Sequence, residues 1–155
     1  GAMEEHVILL ERLLLRATLL ELGRIDQENG PLTLSQFFAL LAAQRHDGGC
    51  TMSDLAAETL LPPSTATSVV DRLVELELVE RLRDEGGDRR QVLVRLTSKG
   101  EALLRQVRQA RRADVAQALP ADADLDAITE LLRRYVIGLA ETIYPDGHHP
   151  PRLMI

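Results

Sequence analysis

The stretch from Thr51 to Leu96 changes its apolar period from helical to alternating, and few folds accommodate that order. Thr51-Met52-Ser53-Asp54 has the form of a capping box, a hydroxyl N-cap followed three residues later by an acid that reaches back. A short helix over 53–59 follows, and Leu60-Leu61-Pro62 breaks it. Pro63 suits the first turn of the next helix, where a missing N–H leaves no further orphan. That helix extends to about Leu76, with Ala66, Val69, Val70, Leu73 and Leu76 inward and Thr65, Ser68, Arg72 and Glu75 outward. Then the period becomes two. Val79, Arg81 and Arg83 alternate with Leu78, Glu80 and Leu82, and Val92, Val94 and Leu96 alternate with Gln91, Leu93 and Arg95. With Gly86-Gly87 between them, these runs form a β-hairpin. Two short helices joined by a three-residue turn are a helix-turn-helix. A hairpin directly behind that pair makes a wing.

The flanks are helical. Residues 4–28 carry a wide apolar face through Leu9, Leu13, Ala17 and Leu20, and Asn29-Gly30-Pro31 ends it. A second helix over 35–44 holds Phe37 and Phe38 with Thr33 as its cap, and 46–49 form a turn. Thr97-Ser98-Lys99-Gly100-Glu101 opens a long helix that Pro120 stops. The last helix opens within 122–126 and lines up Leu125, Ile128, Leu132, Tyr135, Val136, Leu139 and Ile143. From Pro145 the chain reads as an irregular tail. Aromatic residues make up 3% and Trp is absent, so Leu, Val and Ala must fill the core, which favours helices. Cys50 is the one cysteine, which excludes an intramolecular disulfide and points to a reducing, cytoplasmic setting. No apolar run reaches the roughly 18 residues that a membrane span requires. Gly1-Ala2 ahead of Met3 look like a tag-cleavage scar.

Charge sharpens the reading. The chain is acidic overall, at −6, yet residues 81–112 hold ten Lys or Arg against four acids, leaving −12 on the rest. Phosphate contacts act over about 10 Å or less, so the local stripe matters more than the total. The second helix of such a pair enters the major groove with its first residues nearest the bases. Ser64, Thr65, Thr67 and Ser68 supply short donors and acceptors there, and Arg72 reaches phosphate or a guanine edge. Arg81 lies in the same basic stretch. The hairpin tip carries Arg89 and Arg90 toward the backbone or the minor groove.

The span from Thr51 to Leu104, "TMSDLAAETLLPPSTATSVVDRLVELELVERLRD" and then "GGDRRQVLVRLTSKGEALL", resembles the MarR family of bacterial transcriptional regulators. The Asp-x-Arg of that family's wing falls on Asp88 and Arg90. Its Leu-Thr-x-x-Gly falls on Leu96, Thr97 and Gly100. Leu60 and Glu77 stand where the family commonly has Gly, Pro62 replaces the usual Ser or Asp cap, and the wing has one extra residue between Asp84 and Asp88. The resemblance implies a mainly α fold with a small β-hairpin wing, and a helical dimerisation bundle built from both chain ends. The corresponding boundaries are 4–32 and 120–147 for dimerisation, 33–100 for the winged helix-turn-helix and 101–119 for a connecting helix, with a tail at 148–155. It further implies a homodimer on a pseudo-palindromic double-stranded DNA operator, a repressor released by a small-molecule effector. Arg90 would enter the minor groove, with Asp88 holding it. The family's effector cavity would fall on Phe37 and Phe38 with Leu13, Arg16, Leu34 and Leu41, suiting an anionic aromatic ligand; plain core packing is the competing account of these residues.

Other classes stay open at this level. The winged helix can instead dock its basic wing on an acidic protein, or respond to oxidants through Cys50 or to metal through His6, His46, His148 and His149. The adjacent pair His148-His149 is poorly spaced for one metal site, and no Cys/His cluster accompanies it. No P-loop, nucleotide fingerprint, zinc-protease motif or nucleophile elbow occurs, so the expectation is no enzyme, no cofactor and no metal.

Overall fold

The computed structural model describes residues 1–29, 32–83 and 91–146, without the side chains of 25–29. Among these residues, six helices and three strands run in the order α1 (Ala2–Asn29), α2 (Leu34–Arg45), β1 (Cys50–Thr51), α3 (Met52–Thr59), α4 (Pro63–Glu75), β2 (Val79–Arg83), β3 (Val92–Leu96), α5 (Ser98–Ala118), α6 (Leu125–Ile143). The fold is mainly α with a small wing, as the change of period indicates. One strand escapes that reading. Cys50 and Thr51 pair antiparallel with Val94 and Leu93, so the sheet has three strands in the order β1-β3-β2. Two residues are too few to show an alternating period.

Caps fix the helix starts. Thr33 and Gln36 form a reciprocal capping box on α2, at 2.9 Å and 3.2 Å. Thr51 Oγ1 accepts from the Asp54 N–H at 3.0 Å on α3, which is the hydroxyl half of the expected box. Thr97 and Asp124 cap α5 and α6 in the same way. Pro62 occupies the N-cap of α4 without a side-chain bond, and Pro63 fills its first turn.

The two positions that depart from glycine keep glycine's backbone. Leu60 has φ 59° and Glu77 φ 61°, both left-handed. At the end of α4, the Leu78 N–H donates to Leu73 O and the Glu77 N–H to Val74 O, each at 2.9 Å. This is a Schellman motif, and buried Leu73 and Leu78 supply its apolar contact. A left-handed non-glycine residue costs about 1–2 kcal/mol, which the motif's bonds and the Leu73–Leu78 contact offset at Glu77.

The core gathers on the winged helix. Phe37, Leu40, Leu55, Val70, Leu73, Val94 and Leu104 are fully buried, joining α2, α3, α4, β3 and the first half of α5. The sequence of α5 enters this core through Gly100. A Cβ there would lie 2.0 Å from Leu78 O, so only glycine lets α5 start against the end of α4. The outer helices differ. None of the residues of α6 is buried, and α1 exposes Leu9, Leu10, Leu13, Leu19 and Leu20. Val7, Leu10, Leu14, Leu131, Leu132 and Tyr135 line an apolar groove of about 470 Å³ between these two helices. Among the described residues, no helix is long and apolar enough to cross a membrane.

Two outcomes follow for urea or thermal unfolding. Gly100→Ala lowers stability by about 3 kcal/mol, because the new methyl must displace backbone rather than a flexible side chain. Leu60→Gly raises it by about 1 kcal/mol, because the side chain is exposed and the strain is relieved.

Candidate nucleic-acid interface

α4 is built to show one face. Ala66, Val70 and Leu73 hold it in the core, while Ser64, Thr65, Thr67, Ser68 and Arg72 stand exposed on the other side. The Thr67 and Ser68 hydroxyls donate to Pro63 O and Ser64 O, at 3.0 Å and 3.2 Å. Their oxygens keep lone pairs free, and rotation of either hydroxyl frees its proton for a new acceptor.

The wing stands beside this face. β2 and β3 pair from Val79–Leu96 to Arg83–Val92, and Glu80 meets Arg95 across the strands at 2.6 Å. Arg81 of β2 forms a close ion pair with Asp71 of α4, joining wing and helix directly. Arg72 pairs with Glu75 one turn on, at 3.0 Å. Both arginines are therefore held by exposed carboxylates, and such pairs are weak in water. A phosphate can replace either carboxylate. Sequence reasoning placed Glu75 on the outward face with Arg72 and missed Asp71. Glu75 at i+3 from Arg72 was a readable signal, whereas Asp71 meets Arg81 only through the fold. Asp88, Arg89 and Arg90, the expected wing tip, and the extra residue near Asp84 lie outside the described residues.

The effector candidates divide between two environments. Phe37 is in the core, and Leu34, Phe38 and Leu41 pack partly buried against it. Leu13 and Arg16 are exposed on α1. The Phe37 and Phe38 rings lie 5.9 Å apart, and the Arg111 guanidinium sits 5.7 Å from the Phe37 centroid. Arg111 also reaches Glu21 of α1 at 3.3 Å, so α5 is tied to both α1 and α2 at this point.

Behind α3 lies a buried polar contact without a sequence signal. Glu58 is almost fully buried, with Oε1 2.7 Å from His46 Nε2 and Arg45 4.0 Å from Oε2. It ties the α2–β1 turn to the first helix of the pair. Cys50 is buried beside it, and desolvation, then the charges of Glu58 and Asp54, push its thiol up to about 12. A thiol held that high stays protonated and inert at neutral pH. No group of three or more His, Cys, Asp or Glu suited to a metal occurs among the described residues.

A helix-turn-helix packed on a three-stranded sheet, with its second helix exposed beside the hairpin, defines a winged-helix protein. The MarR family model matches residues 31–91. The chain is 41% identical over 73 residues to the HTH-type transcriptional repressor NicR of Pseudomonas putida, covering 47% of this chain and 45% of that protein. It is 33% identical over 105 residues to the uncharacterized HTH-type transcriptional regulator YsmB of Bacillus subtilis, covering 66% of this chain and 70% of that one. A solved MarR family protein from Bacillus stearothermophilus superposes with TM-score 0.67 at 33% identity, over 90% of this chain and 96% of that one. Bordetella bronchiseptica BpsR, whose DNA binding is regulated by 6-hydroxynicotinic acid, superposes with TM-score 0.61 at 29% identity, over 81% and 91%. The chain belongs to the MarR family.

Cys50 gives a direct check on the chemistry. The native protein is expected to resist dithionitrobenzoate at pH 8 and to react with one equivalent once unfolded in urea. Because an unfolded thiol ionises near 8.5, stability should fall as pH rises above that value toward 12.

Proposed function

We propose that this protein is a homodimeric transcriptional repressor that binds a pseudo-palindromic operator and is released by a small-molecule effector. The observation that carries the reading is the exposed hydroxyl face of α4, set beside the hairpin and tied to it through Arg81 and Asp71. Ser64, Thr65, Thr67 and Ser68 read the major groove, and Arg72 and Arg81 exchange their carboxylates for phosphate. Arg89 and Arg90 extend the contact from the wing tip, with Asp88 holding Arg90.

The division of labour follows the burial. Residues 33–100 act as the DNA-binding unit and 101–119 as the connecting helix. Residues 4–32 and 120–147 meet a second copy, whose matching helices cover the apolar surface of α1 and α6; the tail at 148–155 lies outside the described residues. Leu20 and Leu131, each 66% exposed in the single chain, become buried in that assembly. The effector, an anionic aromatic compound, binds between α1, α2 and α5, near Leu13, Arg16, Leu34, Phe37, Phe38 and Leu41. Support for its chemistry comes from BpsR, whose regulator is a hydroxylated aromatic acid. Such a ligand changes the separation of the two recognition helices and so releases DNA. The protein is not an enzyme in this reading, and it needs no cofactor or metal. It works in the cytoplasm.

Fluorescence anisotropy with duplex from the promoter region flanking its own gene tests the proposal. Arg90→Ala is expected to weaken binding at least tenfold while the sedimentation coefficient and unfolding midpoint stay unchanged. Wild-type affinity should fall steeply and log-linearly with salt, as counterion release requires. Equal affinity of wild type and variant across a salt series overturns the wing assignment. A flat salt dependence instead favours docking of the basic wing on an acidic protein.

A further inference from the structure

Several arginines of this acidic protein are held by carboxylates. Arg72, Arg81, Arg95, Arg111 and Arg133 each pair with a carboxylate. Along one edge of α5 the pattern differs. Arg105, Arg108 and Arg112 line a groove of about 440 Å³ together with Gln44 of α2, Gln109 and Glu101. Among the described residues none of these three arginines meets a carboxylate. Arg108 is half-buried and donates to Gln44 Oε1 at 2.8 Å, a neutral partner that orients the guanidinium without cancelling its charge. At 1.5 Å per residue, the stripe from 105 to 112 extends about 10 Å. Three like charges converging on one groove, in a chain with 24 acids and 18 bases, form an electrostatic site awaiting an anion.

We propose that this α2–α5 groove binds a small polyanion, a compound with two or more carboxylate or phosphate groups spaced to meet Arg105 and Arg112 at its ends. Arg108, fixed by Gln44, meets the middle of the ligand through its remaining N–H donors. The volume lies within the range of small-ligand sites and is too large for one inorganic ion to fill. Glu101 stands at one end of the groove and opposes an anion there, so it limits affinity and sets which end of the ligand is less charged. This site differs from the aromatic effector cleft, and it does not rest on the DNA-binding reading.

Isothermal titration calorimetry at constant ionic strength tests it, with inorganic pyrophosphate as the phosphate probe and tricarballylate as the carboxylate probe. The expected result is saturable binding of one probe or both, at one per chain. The Arg105→Ala/Arg112→Ala double variant should bind at least tenfold more weakly, and Glu101→Gln severalfold more tightly. Because those residues are exposed, unfolding midpoints should stay unchanged without ligand. Operator affinity of the unliganded double variant should stay within about twofold of wild type, which separates this site from the DNA contacts. Absence of saturable binding by either probe overturns the proposal. So does unchanged affinity in the double variant, and so does a tenfold loss of operator affinity in it, which would make these arginines DNA backbone contacts.

Discussion

The rest of the structure depends on the junction where the end of α4 meets the start of α5. The α4 chain leaves through a left-handed Glu77, and its last carbonyls would otherwise be orphans. The Schellman bonds take Leu73 O and Val74 O, and the α5 start takes the carbonyls that follow. Thr97 Oγ1 donates to Glu77 O at 2.6 Å, the Thr97 N–H to Leu78 O at 3.1 Å, and Lys99 Nζ to Leu76 O at 3.0 Å. The ammonium group also complements the negative end of the α4 dipole. Gly100 permits the approach, because any Cβ would overlap Leu78 O. The recognition helix is therefore fastened at its C-terminus to the longest helix of the inner fold. At Gly100 the α5 backbone lies directly against Leu78 O, so no side chain cushions that contact. In the proposed dimer this is the physical link by which a change among the outer helices alters the spacing of two reading faces.

Electrostatics adds a second constraint. α4 itself carries Asp71, Arg72 and Glu75, so its own charge does not attract DNA. Attraction has to come from the wing and the basic stretch around it. The Asp71–Arg81 pair holds the wing close to the helix while keeping the arginine exposed. Because the pair is solvated, its disruption costs little, and a phosphate can take the place of the carboxylate. Buried Glu58 works the other way. Its carboxylate is buried where it meets half-buried His46, so it acts as a more fixed tie between the α2–β1 turn and α3 than the solvated pairs of α4.

Sequence pattern revealed the elements that obey a period or a cap. α3, α4 and the hairpin were legible because Thr51, Pro63 and the alternation around Gly86-Gly87 are local signals. The left-handed positions were legible in outline, since Leu60 and Glu77 stand where glycine is usual, yet the retained backbone geometry had to be seen. β1 was not legible, because its two residues pair with β3 across some forty positions. The partners of Arg81 and Arg108 were hidden for the same reason: Asp71 and Gln44 come near them only through the fold. On α4, the outward placement of the hydroxyls followed from helical spacing alone. Leu13 and Arg16 were grouped with Phe37 by family layout, and in the single chain they lie exposed while Phe37 is enclosed.

That last contrast has a physical cause. α2 is buried by contacts within one chain, with Leu40 and Ala42 fully enclosed, whereas α1 and α6 leave many of their apolar side chains about half exposed. Folding alone gives no return for that surface, since exposed leucines on a long helix gain nothing from water. An isolated helix of this kind is held mainly by propensity, while most helical stability in proteins comes from packing an apolar face. α1 is anchored at only a few points, such as Glu21 to Arg111 and Arg24 to Asp114, both on α5. Those ties lie in its second half, and among the described residues no ion pair joins its first half to α5. A second copy supplies the missing packing in the proposed assembly, and the placement of the ties fits that role. They fix the helix to the winged-helix lobe, while the stretch before them keeps its leucines exposed in the single chain.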